Sequence, residues 1–284
     1  MLKLHTLPFE GALTNKLAKG PGTGVSLYWL GQAGFVIDTD GRRIVIDPYL
    51  SDILAAKYRH TPYSHERMAP PPLAPDELGA IDLVLCTHHH TDHMDGETLH
   101  ALAARLPALK FVVPAASVEL SMQRIGVETD RLLPVDTGEQ LQIDAVTLDV
   151  FRAAHETLER DDQGRHRFLG YGLTVGGIRI FHSGDTIPFE GQDDELRSFA
   201  PDLALLPVNG RSDALAKAGF AGNLSLAEAI ALCERCGIGS LIAHHYGMFR
   251  FNTIAPATID DAATRATINL VRAQEQIEFR IVDE

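Results

Sequence analysis

Apolar residues lie along the chain in short runs with two different spacings. The runs VSLYWL (25–30), GFVIDT (34–39) and IDLVLC (81–86) have the length and the β-branched content of strands. The runs GETLHALAARL (96–106) and SLAEAIALCERCG (225–237) place leucines at helical spacing. Strands dominate each half of the chain, and helices follow them. This pattern favours an α/β (α+β) fold in which two sheets pack together with helices outside, as one domain.

Turn residues divide these runs. Asp40-Gly41 and Gly176-Gly177 predict hairpins, and Gly126 predicts the end of a helix. The pattern also predicts a helix over 256–274 and a last strand over 277–284.

Residues 51–79 depart from the regular pattern. They are rich in Pro, Tyr, His and Arg, and they contain a triple proline at 70–72. A loop of this length in a compact domain is usually functional or disordered. We expect a lid over a binding site or a contact between subunits.

Composition narrows the function classes. The 284 residues are 45% hydrophobic and carry a formal net charge of −13, with no basic track for nucleic acid. The three cysteines, the missing signal peptide and the lack of a long apolar stretch predict a cytoplasmic protein that does not enter a membrane. A small-molecule substrate and a homo-oligomer are compatible with this composition.

The stretch THHHTDHMD (87–95) follows the predicted strand IDLVLC directly. His88 and His90 are two residues apart, so they point the same way in an extended segment. Asp92 and His93 follow where the chain turns toward the next helix. Imidazole and carboxylate ligands together suit Zn, Mn, Fe or Co. The stretch therefore predicts a metal site at a strand end.

Four ligands from one turn cannot close around one ion without strain, so we expect others from elsewhere. Three more predicted strand ends carry suitable side chains. FRAAHE supplies His155, IFHSGDT supplies Asp185, and LIAHHYG supplies His244 and His245. A lone histidine at a strand end is more often structural, but the repetition of one arrangement favours a shared site.

THHHTDHMD, the isolated His155, SGDT and HHYG resemble the metal motifs of the metallo-β-lactamase superfamily, in the same order. Within it, LGQAGFVIDTDGRRIVIDPYLSD, LPVNGR, NLSLAEA and HYGMF are most similar to the L-ascorbate-6-phosphate lactonase-like branch. The resemblance covers most of residues 24–250. It implies a four-layer αββα sandwich, with residues 1–284 forming a single domain whose core begins at about residue 24.

The resemblance also implies a ligand set. The first metal would be held by His88, His90 and His155, and the second by Asp92, His93 and His245, with Asp185 bridging the two. Asp92, His93 and Asp185 would be the catalytic residues. Weaker expectations concern residues around the ligands or the substrate, namely Asp47, His89, Asn209 and His244.

Two cations at such a site can hold a bridging water and lower its pKa toward neutrality. The resemblance therefore implies a hydrolase with two Mn or Zn ions, Fe or Co being possible, that acts on a small lactone or ester, possibly phosphorylated. A phosphodiesterase with the same centre and a mononuclear iron oxygenase of the same fold are alternatives, and a non-enzymatic scaffold is a weaker one.

Four arginines and a cysteine pair outside these motifs are further candidates for functional roles. Arg59, Arg67, Arg211 and Arg250 are candidates to hold an anionic group, although a solvated arginine is the more common case. Cys233 and Cys236 form a C-x-x-C pair, but they lie in a predicted helix with no second pair. We expect both cysteines to be structural.

Overall fold

A computed structural model describes residues 2–283 of the chain. The chain divides into two compact units. The first comprises the chain up to Val135, residues 248–251 and the chain from Gln274 onward. The second comprises Asp136–Gly247 and Asn252–Ala273. Each unit contains one sheet.

The sheet of the first unit has eight strands. They are β1 (Leu2–Pro8), β2 (Val25–Gly31), β3 (Gly34–Thr39), β4 (Arg42–Ile46), β5 (Leu83–Leu85), β6 (Lys110–Pro114), β7 (Leu132–Val135) and β15 (Ile277–Asp283). Their order is β1-β15-β2-β3-β4-β5-β6-β7, antiparallel from β1 to β4 and parallel from β4 to β7. The helices of this unit are α1 (Leu13–Leu17), α2 (Ile53–Lys57), α3 (Gly96–Arg105) and α4 (Val118–Ile125).

The sheet of the second unit has seven strands. They are β8 (Gln140–Ile143), β9 (Val146–Arg152), β10 (Leu169–Val175), β11 (Ile178–His182), β12 (Leu203–Pro207), β13 (Ser240–His244) and β14 (Asn269–Arg272). Their order is β14-β13-β12-β11-β10-β9-β8, parallel from β11 to β14 and antiparallel elsewhere. The helices are α5 (Gln192–Phe199), α6 (Asp213–Lys217), α7 (Leu226–Cys236) and α8 (Pro256–Ala263).

The predicted turns are present in both sheets. Thr39 pairs with Arg42 across Asp40-Gly41, whose φ angles of 38° and 82° suit a tight hairpin. Gly176-Gly177 joins β10 to β11 in the same way. Gly126 ends α4 in the left-handed conformation, with a φ of 74°. The two-sheet α/β architecture predicted from the sequence is confirmed.

The predicted helix over 256–274 is wrong in its second half. Helix α8 ends at Ala263, and Asn269–Arg272 form β14, which pairs with β13 in parallel. The segment ATINLV is rich in β-branched residues, and the ladder with β13 satisfies its backbone groups. Strand β1 and the helices α1, α2, α5 and α6 were not predicted from the sequence.

Parallel strands determine where the polar motifs lie within each unit. In the first unit β4 and β5 end at Ile46 and Leu85, just before Asp47 and the histidine-rich turn. In the second unit the parallel strands β11 and β13 end shortly before Asp185 and His245. Because the carboxyl ends of parallel strands share one edge of a sheet, each unit gathers its motifs at one edge.

The core of the first unit encloses a charged pair. The Arg43 side chain is 1% exposed and donates to both carboxylate oxygens of Asp38, at 2.7 and 2.8 Å. It also donates to the carbonyl oxygens of Leu78 (2.7 Å) and Leu17 (3.1 Å). One guanidinium therefore joins β3 and β4 to α1 and to the end of the 51–79 segment.

We predict that Arg43→Met lowers the free energy of unfolding by about 3–5 kcal/mol, because it leaves the Asp38 charge buried without a partner. Arg197→Met is the matched control, since Arg197 makes exposed ion pairs with Asp193 and Asp194 and an exposed hydrogen bond to the Arg235 carbonyl, and its loss should cost less than about 1 kcal/mol. Chemical denaturation of both variants measures the difference. Equal losses would contradict a structural role for the buried pair.

Candidate metal centre

The histidine-rich turn is held at both of its ends. His93 N and Met94 N donate to the His90 carbonyl, at 3.0 and 2.8 Å, so residues 90–94 form one tight turn. The Asp95 carboxylate then caps the first turn of α3 by accepting from Glu97 N. From α4, Arg124 donates to the carbonyl oxygens of His89 and Met94. The turn is thus fixed between β5 and two helices.

Within this turn the predicted ligands lie close together. His88 and His93 are fully buried, and their ring centroids are 4.0 Å apart. The rings of His88 and His90 are 4.7 Å apart, and each offers a nitrogen within 4.8 Å of the other. Asp92 Oδ2 lies 3.9 Å from His93 Nε2. Four nitrogen and oxygen donors are therefore available in one small region.

His89 lies beside these residues in a different orientation. Its ring centroid is 6.4 Å from that of His88, and the two rings are perpendicular. It is 4.9 Å from the ring centroid of His90. The structure therefore places His89 next to the ligand group rather than among its closest members.

Asp47 orders the turn from the end of β4. Asp47 is completely buried and has a positive φ of 45°, a conformation that is costly for a non-glycine residue. Its carboxylate accepts from Thr87 N (2.8 Å), from Thr87 Oγ1 (2.6 Å) and lies 2.7 Å from His93 Nδ1. The strained backbone of Asp47 thus lets one carboxylate contact both Thr87, which precedes His88 in the sequence, and His93, which follows it.

These hydrogen bonds fix which ring nitrogens face outward. Thr87 has a single hydroxyl hydrogen and gives it to Asp47, so its Oγ1 accepts from His88 Nδ1, which lies 3.1 Å away. His93 Nδ1 likewise donates to Asp47. Both histidines therefore present Nε2 as the basic nitrogen, as in metal sites where a second hydrogen bond sets the tautomer.

Gln32 is a further residue of this region that the sequence analysis did not identify. It is 3% exposed, has a positive φ of 49°, and donates from Nε2 to Asp92 Oδ2 at 2.8 Å. It lies in the stretch LGQAG between β2 and β3. A polar residue between two glycine-flanked strands is the signal that points to it. Thr87, directly before His88, was also missed.

The second unit contains its own group of three predicted ligands. His155, Asp185 and His245 are each at most 7% exposed. Asp185 Oδ2 lies 3.2 Å from His245 Nε2 and 3.8 Å from His155 Nε2. His245 has a positive φ of 59°, which is unusual for histidine. One carboxylate oxygen therefore lies near two imidazole nitrogens, an arrangement suited to a bridging ligand.

Hydrogen bonds hold the loops that carry this group. Thr186 Oγ1 accepts from Ala154 N at 3.1 Å, and Ile187 N donates to the Ala154 carbonyl at 2.8 Å. These contacts tie the loop after β11 to the loop after β9. Asp185 and His155 consequently keep a fixed separation.

His244 and Asn209 lie around this group. The fully buried His244 ring stacks on His182, with centroids 4.9 Å apart, and burial lowers the pKa of His244 well below its ordinary value. Asn209 is part of an amide chain: it accepts from Asn223 Nδ2 at 3.1 Å and donates to Asn252 Oδ1 at 2.9 Å. The contact with Asn252 was not predicted, because Asn252 lies 43 residues beyond Asn209 in the chain.

Comparison with known proteins decides the family. A profile described as the β-lactamase superfamily domain matches residues 42–246, which is most of the chain. The chain belongs to this superfamily. A UPF0173 metal-dependent hydrolase of Myxococcus xanthus is 30% identical over 249 residues, which cover 85% of this chain and 77% of the relative. The chain is a metal-dependent hydrolase of the metallo-β-lactamase superfamily, as the motifs predicted.

Solved structures of the same fold have different activities. An isothiocyanate hydrolase from Delia radicum gut bacteria aligns with a TM-score of 0.70 at 17% identity, covering 91% of this chain and 98% of that one. CmlA, a diiron β-hydroxylase from Streptomyces venezuelae, aligns with a TM-score of 0.63 at 15% identity, covering 93% of this chain and 55% of that one. The metallo-β-lactamase fold is confirmed, and the fold alone does not select the reaction.

Two of the four arginines named as candidates for anion binding make contacts within the protein. The Arg67 side chain is 5% exposed and donates to the carbonyl oxygens of Ser51 and Tyr49. Arg211 forms a bidentate pair with Glu228, at 2.7 and 2.6 Å. Both guanidinium groups are engaged in the fold, so anion binding by either is not favoured. Arg59 and Arg250 are exposed.

Among residues 2–283, no helix is long and apolar enough to span a bilayer.

We predict that Asp47→Ala weakens metal affinity about 10–100-fold, because His93 and Thr87 lose the carboxylate that orients them. Asp162→Ala, at an exposed carboxylate in the charged loop before β10, is the control and should bind metal as the wild type does. Titration of the metal-free proteins with Zn²⁺ or Mn²⁺ measures both affinities. Wild-type affinity in Asp47→Ala would contradict the orienting role.

The C-x-x-C pair gives a separate prediction. Cys233 and Cys236 are buried on α7, and burial raises the pKa of the Cys233 thiol to about 12, so it stays protonated at neutral pH. Because metals bind thiolates, Cys233→Ser should leave the metal content unchanged. Elemental analysis of the purified variant tests this, and loss of metal would show that the pair is a ligand site.

Proposed function

We propose that this metal-dependent hydrolase holds two divalent ions and opens a small lactone or ester, with or without a phosphate group. The proposed ligands are those implied by the sequence motifs: His88, His90, Asp92, His93, His155, Asp185 and His245. The observation that carries the proposal is the position of Asp185 Oδ2, near the Nε2 atoms of both His155 and His245.

The donor atoms fit such ions. In the first group Asp92 Oδ2 lies 3.9 Å from His93 Nε2, and in the second Asp185 Oδ2 lies 3.2 and 3.8 Å from the Nε2 atoms of His245 and His155. An ion with ligand bonds of about 2.0–2.2 Å can span these separations. The tautomers of His88 and His93 present Nε2, the atom that the ion would take. No thiolate is among the proposed ligands, so Mn and Zn are both suitable, and Fe or Co can replace them.

A bound pair of ions would supply a hydroxide at neutral pH and would offset negative charge that develops on oxygen. The side chains of this protein would supply orientation and a proton acceptor. Asp92 is partly exposed, and the Gln32 amide holds one of its oxygens at 2.8 Å. We propose that Asp92 accepts the proton of the attacking water and passes it to the leaving alcohol, while His93 and Asp185 act as catalytic ligands.

The substrate class rests on charge and on resemblance. A net charge of −13 repels polyanions outside the metal site, so RNA and DNA are disfavoured. The stretches LGQAGFVIDTDGRRIVIDPYLSD and HYGMF resemble the lactonase-like branch of the superfamily. A phosphodiester is the principal alternative, because the same hydroxide can attack phosphorus.

We expect the protein to hydrolyse small lactones and to cleave single-stranded or structured RNA at most weakly. A panel of substrates, assayed with the same metal and at the same low salt concentration, tests this. The panel contains lactones, linear esters, phosphodiesters and phosphomonoesters, each with Mn²⁺ and with Zn²⁺. His88→Ala and Asp185→Ala should abolish turnover of every accepted substrate, because each removes a proposed ligand.

Asp162→Ala, at an exposed carboxylate in the charged loop before β10, is the control for Asp185→Ala and should keep wild-type turnover. Efficient RNA cleavage together with weak turnover of every small ester would overturn the substrate assignment. Full activity in Asp185→Ala would overturn the ligand assignment itself.

A further inference from the structure

Arg67 makes an unusual set of contacts for a residue of the irregular 51–79 segment. Its guanidinium donates to Ser51 O (3.1 Å), to Tyr49 O (2.5 Å) and to Met248 Sδ (3.3 Å). The same group lies over the Tyr49 ring, 4.3 Å from its centroid. All of these residues belong to the first unit. Arg67 thus binds the stretch that follows β4 from one side.

Backbone contacts reinforce this attachment. Arg67 forms an antiparallel bridge with Phe249, and Met68 N donates to the Met248 carbonyl at 2.9 Å. Tyr49, Met248 and Phe249 share one apolar cluster with Leu54. The 51–79 segment is therefore attached to residues 248–251 at Arg67 and Met68, and its residues around Arg67 are anchored there.

The stretch that Arg67 holds, residues 47–51, also contacts the histidine-rich turn at both of its ends. At one end, Asp47 binds Thr87 and His93 as described above. At the other end, Ser51 N and Ser51 Oγ donate to the Asp95 carboxylate, at 3.0 and 2.9 Å. Leu50 N donates to the same carboxylate at 3.2 Å. Residues 47–51 therefore span the whole ligand-bearing turn.

We propose that Arg67 is a positioning residue for the metal centre, acting through residues 47–51 on Asp47 and Asp95. This inference rests on the proposed function, because it assumes that His88, His90, Asp92 and His93 are ligands. Ser51 donates to Asp95 while its carbonyl accepts from Arg67, so a shift at Arg67 reaches the turn through one residue. The Asp52 carboxylate, 3.3 Å from Arg67 Nε, is 73% exposed and contributes little.

Arg131 offers a matched control in the same unit. Its guanidinium donates to three backbone carbonyls, those of Leu109 (3.0 Å), Ala103 (3.0 Å) and Leu106 (2.7 Å). It also lies over an aromatic ring, 5.5 Å from the centroid of Phe111. None of these contacts involves residues 47–51 or the histidine-rich turn. Arg131 therefore makes the same kinds of contact as Arg67, with backbone carbonyls and an aromatic ring, but it does not contact residues 47–51 or the turn.

The test measures the affinity of the metal-free, full-length protein for Mn²⁺ and Zn²⁺ by competition with a chromogenic chelator. We expect Arg67→Met to weaken the affinity about tenfold, since supports of metal ligands typically contribute 10–100-fold. Arg131→Met should change it by no more than about twofold, as expected for an independent site. Unfolding of the metal-free variants in urea shows that both are folded under the assay conditions.

Arg67→Lys keeps the charge but lacks the planar fork that reaches three acceptors, so its metal affinity should fall between those of the wild type and Arg67→Met. If Arg67→Met does not fold, this variant decides, and wild-type affinity in it would overturn the inference. Equal metal affinities in Arg67→Met and Arg131→Met would also overturn it. A wild-type protein that binds no metal would instead refute the proposed function, so the two failures are distinguishable.

Discussion

The hydrogen bonds of the Asp47 carboxylate are the interaction on which the histidine-rich turn depends. The carboxylate is completely buried, and its charge is stabilised by hydrogen bonds from Thr87 and His93. The strained backbone of Asp47, with a φ of 45°, is held at the end of the parallel pair of β4 and β5, where Asp47 N donates to the Leu85 carbonyl at 2.9 Å. In the same contact, the fold fixes the tautomers of two histidines.

The two units use the same device at the ends of parallel strands. In each unit, a residue with a positive φ directly follows a strand, and its side chain lies beside other polar side chains. This residue is Asp47 in the first unit and His245 in the second. Secondary structure alone does not produce this geometry, because both conformations are costly and depend on the surrounding hydrogen bonds. Local strain at these positions is consistent with a functional role.

The sequence predicted the strand ends and the ligand types, because both follow from local patterns. The motif THHHTDHMD follows an apolar strand directly, so its spacing alone predicts that His88 and His90 point the same way and that Asp92 and His93 follow in a turn. The contacts of Gln32, Asn252 and Arg67 could not be predicted, since each depends on residues that are distant along the chain. The helix predicted over 256–274 failed after Ala263 for a similar reason: residues 269–272 pair with the distant strand β13 as β14 and do not continue the helix of 256–263.

Stepwise metal loading tests the central claim of a dinuclear hydrolase most directly. Metal-free protein is titrated with Mn²⁺ or Zn²⁺, bound metal is counted per chain, and hydrolysis of an accepted substrate is measured at every step. We predict saturation at about two ions per chain, with turnover rising as the second ion binds. Full turnover at one ion per chain, or in the absence of bound metal, would contradict the account.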